Sequence, residues 1–372
     1  MTIGVDGNEA NVKERVGVSV YTLNILRYFH KKARKELQFK IFLKKTPLAE
    51  LPSPSKFFQY QIVSGQYLWS QIFLPLALFQ NRDINVFFSP AHYIPRFSSV
   101  PTVVTIHDLS YLYYPEDFLK KDLFQLKNWT NYSLNKATKI IAVSKTTKKD
   151  IIKNYAVNDD KISVIYNGFE KSFQKLKIEN LKFNENCNLK IENFILFVGT
   201  IQPRKNLSVL IEAFDKFLQT NKDSKLVIVG KKGWLYEKIF QKVQDMDLDK
   251  KIVFTDYLSN EQLAWLYKNA FCFVMPSLYE GFGIPVLEAM SFGCPVIASF
   301  ASSLPEVAGD ASLYFDPKNS DDLVEKLKLI KEDKQLVKDL VNKGKKRVKE
   351  FSWEKCGEKT LEILKNYASS SI

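Results

Sequence analysis

Cysteine and histidine are scarce in this chain, and their scarcity narrows the chemistry. Its four cysteines, Cys187, Cys272, Cys294 and Cys356, stand far apart without paired or metal-type spacing. That speaks for a reducing cytoplasm and against a disulfide framework or a zinc site. Three histidines in the whole sequence cannot form a His-rich metal cluster. Long hydrophobic runs are missing too. The strongest, Tyr67 to Phe79, falls short of a membrane span, contains Ser70 and Gln71, and is interrupted by Pro75. The opening residues, Met1 to Asn8, show neither a basic leader nor a long apolar core, so no secretory signal is expected.

What is present suits a sizeable globular protein. At 372 residues and 45% hydrophobic content, two domains of moderate size are expected rather than one. Lysine and arginine number 54 against 41 acidic residues, a net charge of +13, which suggests an anionic partner. The basic groups Lys31, Lys32, Arg34, Lys35 and Lys44, Lys45 lie close to apolar positions. They fit peripheral attachment to an anionic membrane surface about as well as they fit plain solvated charge. A nucleic-acid partner is not expected, because no nucleic-acid-binding motif accompanies the charge.

The hydrophobic pattern alternates between strand and helix. Short apolar runs at Thr2–Asp6, Lys40–Leu43, Val86–Phe88, Thr102–Ile106, Ile140–Val143 and Ile162–Ile165 read as buried strands. Helical stretches are expected at 18–32, 70–80 and 119–136. Residues 171–192 are polar and aperiodic, which reads as a linker. A second series starts at Phe194, with strands at 194–198, 226–229, 252–255, 272–275 and 295–298. Helices are expected between them at 207–219, 235–245, 260–269 and from Pro285, followed by 323–349 and 353–367. Such alternation argues for α/β architecture with parallel sheets covered on both faces.

The chemistry concentrates in Glu280-Gly-Phe-Gly-Ile-Pro-Val-Leu-Glu288. Two carboxylates stand eight positions apart around a glycine-flanked turn, and Pro285 suits the first position of a helix. A helix N-terminus with Gly281 and Gly283 before it can receive an anion such as a diphosphate. Carboxylates on either side can take neutral hydroxyls, and a sugar nucleotide has that polarity. Ligands of open α/β sheets bind at the carboxyl ends of strands, and there Gly199-Thr-Ile-Gln-Pro-Arg-Lys-Asn206 carries Arg204 and Lys205. Arginine keeps its proton and forks onto phosphate. The alternative is a solvated basic turn. His107-Asp108 closes another strand, and His30 reads as helix surface. Gly281-Phe-Gly283 lacks the third glycine of a dinucleotide fingerprint, which sets an oxidoreductase aside.

The run from Val274 to Ala298 resembles the signature of glycosyltransferase family 4, the retaining group 1 glycosyltransferases of GT-B fold. The likeness spans essentially the whole chain and is looser before about residue 100. It implies two Rossmann-like domains with parallel sheets facing across a cleft: 1–172 on the acceptor side, a linker 173–192, and a nucleotide-sugar domain 193–352. The last helix, 353–372, would cross back to the first domain. It also implies a retaining, metal-independent enzyme without a cofactor, moving a hexosyl group from a nucleotide-diphosphate sugar to a glycan or lipid-linked acceptor. Mannose from GDP-mannose is the first expectation, because the Gly-Thr-Ile-Gln-Pro-Arg-Lys-Asn wording resembles the mannosyltransferase subset, and UDP-sugars are the second.

By the same likeness Arg204, Lys205, Glu280 and His107 serve catalysis. Gly17, Gly199, Tyr257, Leu258, Gly281, Phe282, Gly283, Ile284 and Glu288 would contact the donor, Glu288 through ribose hydroxyls. Departures are Thr200, where many members have arginine, the single Gly17, where relatives have two or three glycines, and Asp256, where glycine is common. The rival reading is a non-catalytic sugar-nucleotide binder or scaffold of a glycan-assembly complex.

Overall fold

The computed structural model describes residues 1–65, 68–169 and 193–368. The expected linker and the domain limits at 172 and 173 lie outside these residues, as does Cys187. The chain forms two compact units: one from Met1–Leu112, Lys120–Gly168 and the chain from Phe351 (unit 1), the other from Tyr113–Leu119 and Phe169–Glu350 (unit 2).

Unit 1 is built on strands β1 (Thr2–Asp6), β2 (Gln38–Leu43), β3 (Phe58–Ile62), β4 (Ile84–Ser89), β5 (Thr102–Ile106), β6 (Lys139–Ala142) and β7 (Ile162–Val164). Its helices are α1 (Val18–Lys32), α2 (Phe73–Gln80), α3 (Ser110–Tyr113), α4 (Lys120–Lys136) and α5 (Lys145–Tyr155). The sheet is wholly parallel, in the order β3-β2-β1-β4-β5-β6-β7. Unit 2 alternates β8 (Phe194–Val198), α6 (Leu207–Leu218), β9 (Lys225–Val229), α7 (Glu237–Asp245), β10 (Ile252–Phe254), α8 (Asn260–Asn269) and β11 (Cys272–Met275). It continues through α9 (Ile284–Ser291), β12 (Val296–Ser299), α10 (Leu304–Ala308), β13 (Leu313–Phe315), α11 (Ser320–Glu332) and α12 (Lys334–Arg347). The second sheet is also parallel, ordered β10-β9-β8-β11-β12-β13. The last helix, α13 (Trp353–Ala368), buries Cys356, Leu361, Leu364 and Ala368 in the unit 1 core beside Tyr21, Leu26 and Phe29.

Parallel strands covered on both faces must be apolar throughout, and β5, β8 and β11 are buried at nearly every position. That is why these were visible in the sequence. Five elements were not, the short helices α3 and α10 among them. Strand β3 reads Phe-Gln-Tyr-Gln-Ile at a sheet edge and is mostly accessible. Strand β13 has three residues, and α5 is largely polar, starting at Ser144, whose hydroxyl caps the Thr147 N–H. One expected helix is two. The 323–349 stretch breaks at Asp333 (φ −105°, ψ 89°), whose carboxylate accepts from the Leu336 N–H and starts α12. Helix α9 begins at Ile284, so Pro285 is its second residue, still inside the turn that lacks N–H partners. His30, in the last turn of α1, is half-buried, its ring set edge-on against Phe58 at 5.1 Å.

Candidate active site

In each sheet the strand order reverses between the first strand and its neighbour, β1/β4 in unit 1 and β8/β11 in unit 2. The carboxyl ends of strands flanking such a reversal form a crevice that secondary structure leaves open. In unit 2 the Gly199–Asn206 turn leaves β8 there, and the Pro276–Gly283 turn leaves β11 beside it.

The two turns are fastened by backbone and amide groups. Asn206 adopts the left-handed conformation (φ 57°) that asparagine tolerates. Its side-chain NH2 donates to the carbonyls of Pro276 at 3.0 Å and Pro317 at 2.7 Å. The Leu278 N–H donates to the Arg204 carbonyl at 2.9 Å. The backbone N–H of Glu280 donates to Ser302 Oγ at 2.7 Å, while Ser303 Oγ donates to the carbonyls of Glu280 and Phe282. Gly283 has φ 99°, and a Cβ there would stand 2.8 Å from Leu304.

This frame brings Arg204, Lys205 and Glu280 together. Lys205 Nζ donates to Glu280 Oε1 at 2.5 Å, and Ser277 Oγ donates to the same oxygen at 2.6 Å. The Arg204 guanidinium lies 3.7 Å from Glu280 Oε2 and donates to the Tyr279 carbonyl at 3.0 Å. With its amide oxygen turned inward, Gln202 accepts from Arg204 Nε at 3.0 Å. All three charged side chains are at least 86% covered. Burial alone would raise the Glu280 carboxyl, yet Lys205 and then Arg204, with the Lys205 and Ser277 hydrogen bonds, outweigh it and hold it below the ordinary 4.5. Arg204 and Lys205 both act on the Glu280 carboxylate, and the buried Asp117 carboxylate also lies within electrostatic reach of Arg204.

The other expected positions fall around this cluster or in unit 1. Gly199 (φ 159°) directly follows β8, and Gly281, Phe282 and Gly283 are buried between β11 and α9. Glu288, fifth in α9, accepts from the Tyr267 hydroxyl of α8 at 2.9 Å. Tyr257 is 48% exposed beyond β10, with Lys231 Nζ 5.5 Å from its ring centre, and Leu258 is half-buried. Asp256 takes the positive φ (53°) that glycine adopts freely. In unit 1, Gly17 caps α1 with φ 47°, and open space surrounds its would-be Cβ. His107, at the end of β5, donates from Nε2 to the Pro90 carbonyl at 2.7 Å and lies edge-on to Tyr21. Its own backbone N–H donates to His92 Nε2. Burial and then the neighbouring His92 push His107 down to about 4, which keeps it neutral at pH 7. Sequence reasoning assigned nothing to Ser277, Gln202, Asn206, Ser302 or Tyr267. The available signal was position alone, since Ser277 and Gln202 sit in the turns that carry Glu280 and Arg204.

Two parallel, doubly wound units, each with a switch point in its sheet, define a protein of GT-B fold. The sucrose-phosphate synthase of Thermosynechococcus elongatus has this fold, with a TM-score of 0.77 over 100% of both chains at 17% identity. Sequence profiles of two descriptions match, "Glycosyl transferases group 1" over residues 178–347 and "Glycosyltransferase Family 4" over residues 16–173. An O-antigen chain mannosyltransferase B from Escherichia coli is 31% identical over 75% of this chain and 74% of its own length. The O-antigen chain mannosyltransferase RfbU of Salmonella typhimurium is 32% identical over 58% of this chain and 56% of its own. The chain belongs to the group 1, family 4 glycosyltransferases.

Proposed function

We propose that this glycosyltransferase moves a mannosyl group from GDP-mannose, with retention of configuration, onto a growing cell-surface polysaccharide or its lipid-linked precursor. The observation that carries the proposal is the Arg204–Lys205–Glu280 cluster at the β8/β11 switch point. A diphosphate leaving group gains charge as its bond to the sugar's anomeric carbon breaks, and Arg204 and Lys205 neutralise that charge. The positive end of the α9 dipole adds to this. The acceptor hydroxyl attacks the anomeric carbon from the face the diphosphate leaves, and its proton passes to a departing phosphate oxygen. No protein nucleophile and no metal ion is required by this route. Glu280 anchors the two cations and accepts from a donor-sugar hydroxyl, and Glu288 accepts from the ribose. Gly199, Gly281, Phe282, Gly283 and Ile284 give backbone close approach, with Tyr257 and Leu258 at the base. The names of the two mannosyltransferase relatives support the sugar and the polysaccharide acceptor.

A donor panel tests this: GDP-mannose, UDP-glucose, UDP-galactose and UDP-N-acetylglucosamine, scored for nucleotide release and thermal shift beside Arg204→Ala. Slow nucleotide release from GDP-mannose alone, abolished in Arg204→Ala, is expected. Release from a UDP-sugar instead would replace the donor, and no response to any nucleotide would overturn the reading.

A further inference from the structure

The short stretch Tyr113–Leu119, between β5 and α4, belongs to unit 2 although the strand before it and the helix after it belong to unit 1. Two aromatic contacts hold it. Tyr113 stacks on Tyr279, ring centres 5.5 Å apart and planes 22° from parallel. Tyr279 directly precedes Glu280, and its carbonyl accepts from the Arg204 guanidinium at 3.0 Å. Phe118 meets Trp234 at 5.7 Å. Trp234 follows Gly233, whose N–H donates to the Ile201 carbonyl at 2.9 Å, in the turn that carries Arg204. The segment is therefore tied to the turn after β11 and to the loop after β9, the two strands that flank β8.

Between these anchors Pro115–Asp117 makes one tight turn, in which Glu116 faces water and Asp117 is only 7% exposed. A covered carboxylate needs a donor or a cation against it, and the cation within reach of Asp117 is Arg204. Burial and then Glu116 raise its carboxyl above the ordinary 3.8, while Arg204 opposes them and favours the ionised form. Arg204 thus stands between two carboxylates, Asp117 and Glu280. With Lys205 included, the positive and negative charges of the cluster cancel. We propose that Asp117 sets how tightly this site holds a diphosphate, its carboxylate competing with the ligand's phosphates for the Arg204 guanidinium. The inference rests on the reading that Arg204 and Lys205 receive the donor's diphosphate. Binding that is equally strong before and after bond breaking does not speed the chemical step, and it delays product release, which limits many enzymes. A carboxylate set against Arg204 removes part of that binding, so the spent nucleoside diphosphate leaves readily.

Calorimetric titration of the full chain with GDP, UDP and inorganic pyrophosphate tests this. Asp117→Asn should bind the diphosphates roughly tenfold more tightly than the unsubstituted chain, and Asp117→Ala should do the same. Guanosine and uridine, which carry no phosphate, should gain nothing. Misfolding cannot imitate this result, because a variant that fails to fold binds less. In turnover, KM for the donor should fall in Asp117→Asn. Diphosphate binding that Asp117→Asn leaves unchanged or weakens would overturn the proposal. So would weaker binding of the sugar nucleotide with unchanged binding of its diphosphate, since that would put Asp117 on a sugar hydroxyl. A different result marks failure of the underlying reading: no binding of any of the three probes, or binding that Arg204→Ala leaves untouched, would remove the diphosphate from this cluster altogether.

Discussion

Lys205 and Glu280 form a buried pair, and a buried pair is defined by what happens when half of it is removed. Lys205→Met leaves the Glu280 carboxylate, covered except for 9% of its side chain, with Ser277 and the Arg204 guanidinium alone, and should cost up to about 3 kcal/mol of stability. The double change Lys205→Met/Glu280→Leu should cost clearly less than Lys205→Met alone, in denaturant titrations of both proteins. A double loss equal to the sum of the Lys205→Met and Glu280→Leu losses would mean that the pair carries no coupling. Arg204 is expected to behave differently, since its partners are the Tyr279 carbonyl and Gln202 as well as Glu280. Arg204→Lys keeps the charge but not the fork, and kcat should fall by about 10²–10³ with little change in unfolding midpoint. His107 gives a pH signature. An unfolded histidine titrates near 6.5 and this one near 4, so between those values the unfolded chain holds a proton that the folded chain refuses. Stability is full above that window and declines as pH falls through it. Glu280, held below 4.5, adds a further loss in more acid solution. His107→Gln should reduce the slope of the midpoint-versus-pH curve between about 6.5 and 4 without removing it, because burial also lowers His92, and an unchanged slope there would assign the decline to other groups.

At the scale of elements, the turn from β11 into α9 is set by a conformation rather than by a side chain. Gly283 combines φ 99° with a would-be Cβ 2.8 Å from Leu304. Gly283→Ala should therefore destabilise by about 1–3 kcal/mol and lower activity by displacing Glu280, a few residues upstream. Thermal unfolding and donor turnover measured on one preparation check both. The break between α11 and α12 carries the lesson about legibility. Apolar spacing continues through it, and only the cap geometry at Asp333 reveals two helices. Buried strands such as β8 and β11 could be read because burial on both faces demands apolar side chains. The edge strand β3 could not, because an edge tolerates glutamine.

At the scale of the molecule, the chain completes unit 1 only after it has built unit 2. Helix α13 packs along α1, and a Cβ on Gly168 would meet the Trp353 backbone at 2.1 Å. A chain ending at Glu350 should keep unit 2 folded and leave unit 1 open to protease. Limited proteolysis with mass mapping would show cuts confined to unit 1, and uniform resistance would contradict the packing of α13 as a structural necessity.

The sequence by itself determined the parallel α/β class, the positions of most strands, and the turns that carry Arg204, Lys205 and Glu280. Those follow from local periodicity, from glycine and proline, and from the rule that strand ends hold ligands. Only the tertiary structure decided that Lys205 is bonded to Glu280 rather than poised as a free cation, that Ser277 shares the same oxygen, and that Glu288 meets Tyr267. It also decided that the apolar run ending at Phe79 shows half of itself to water. These facts depend on which distant segments a sheet places side by side, and residues 75 positions apart carry no local mark of their pairing.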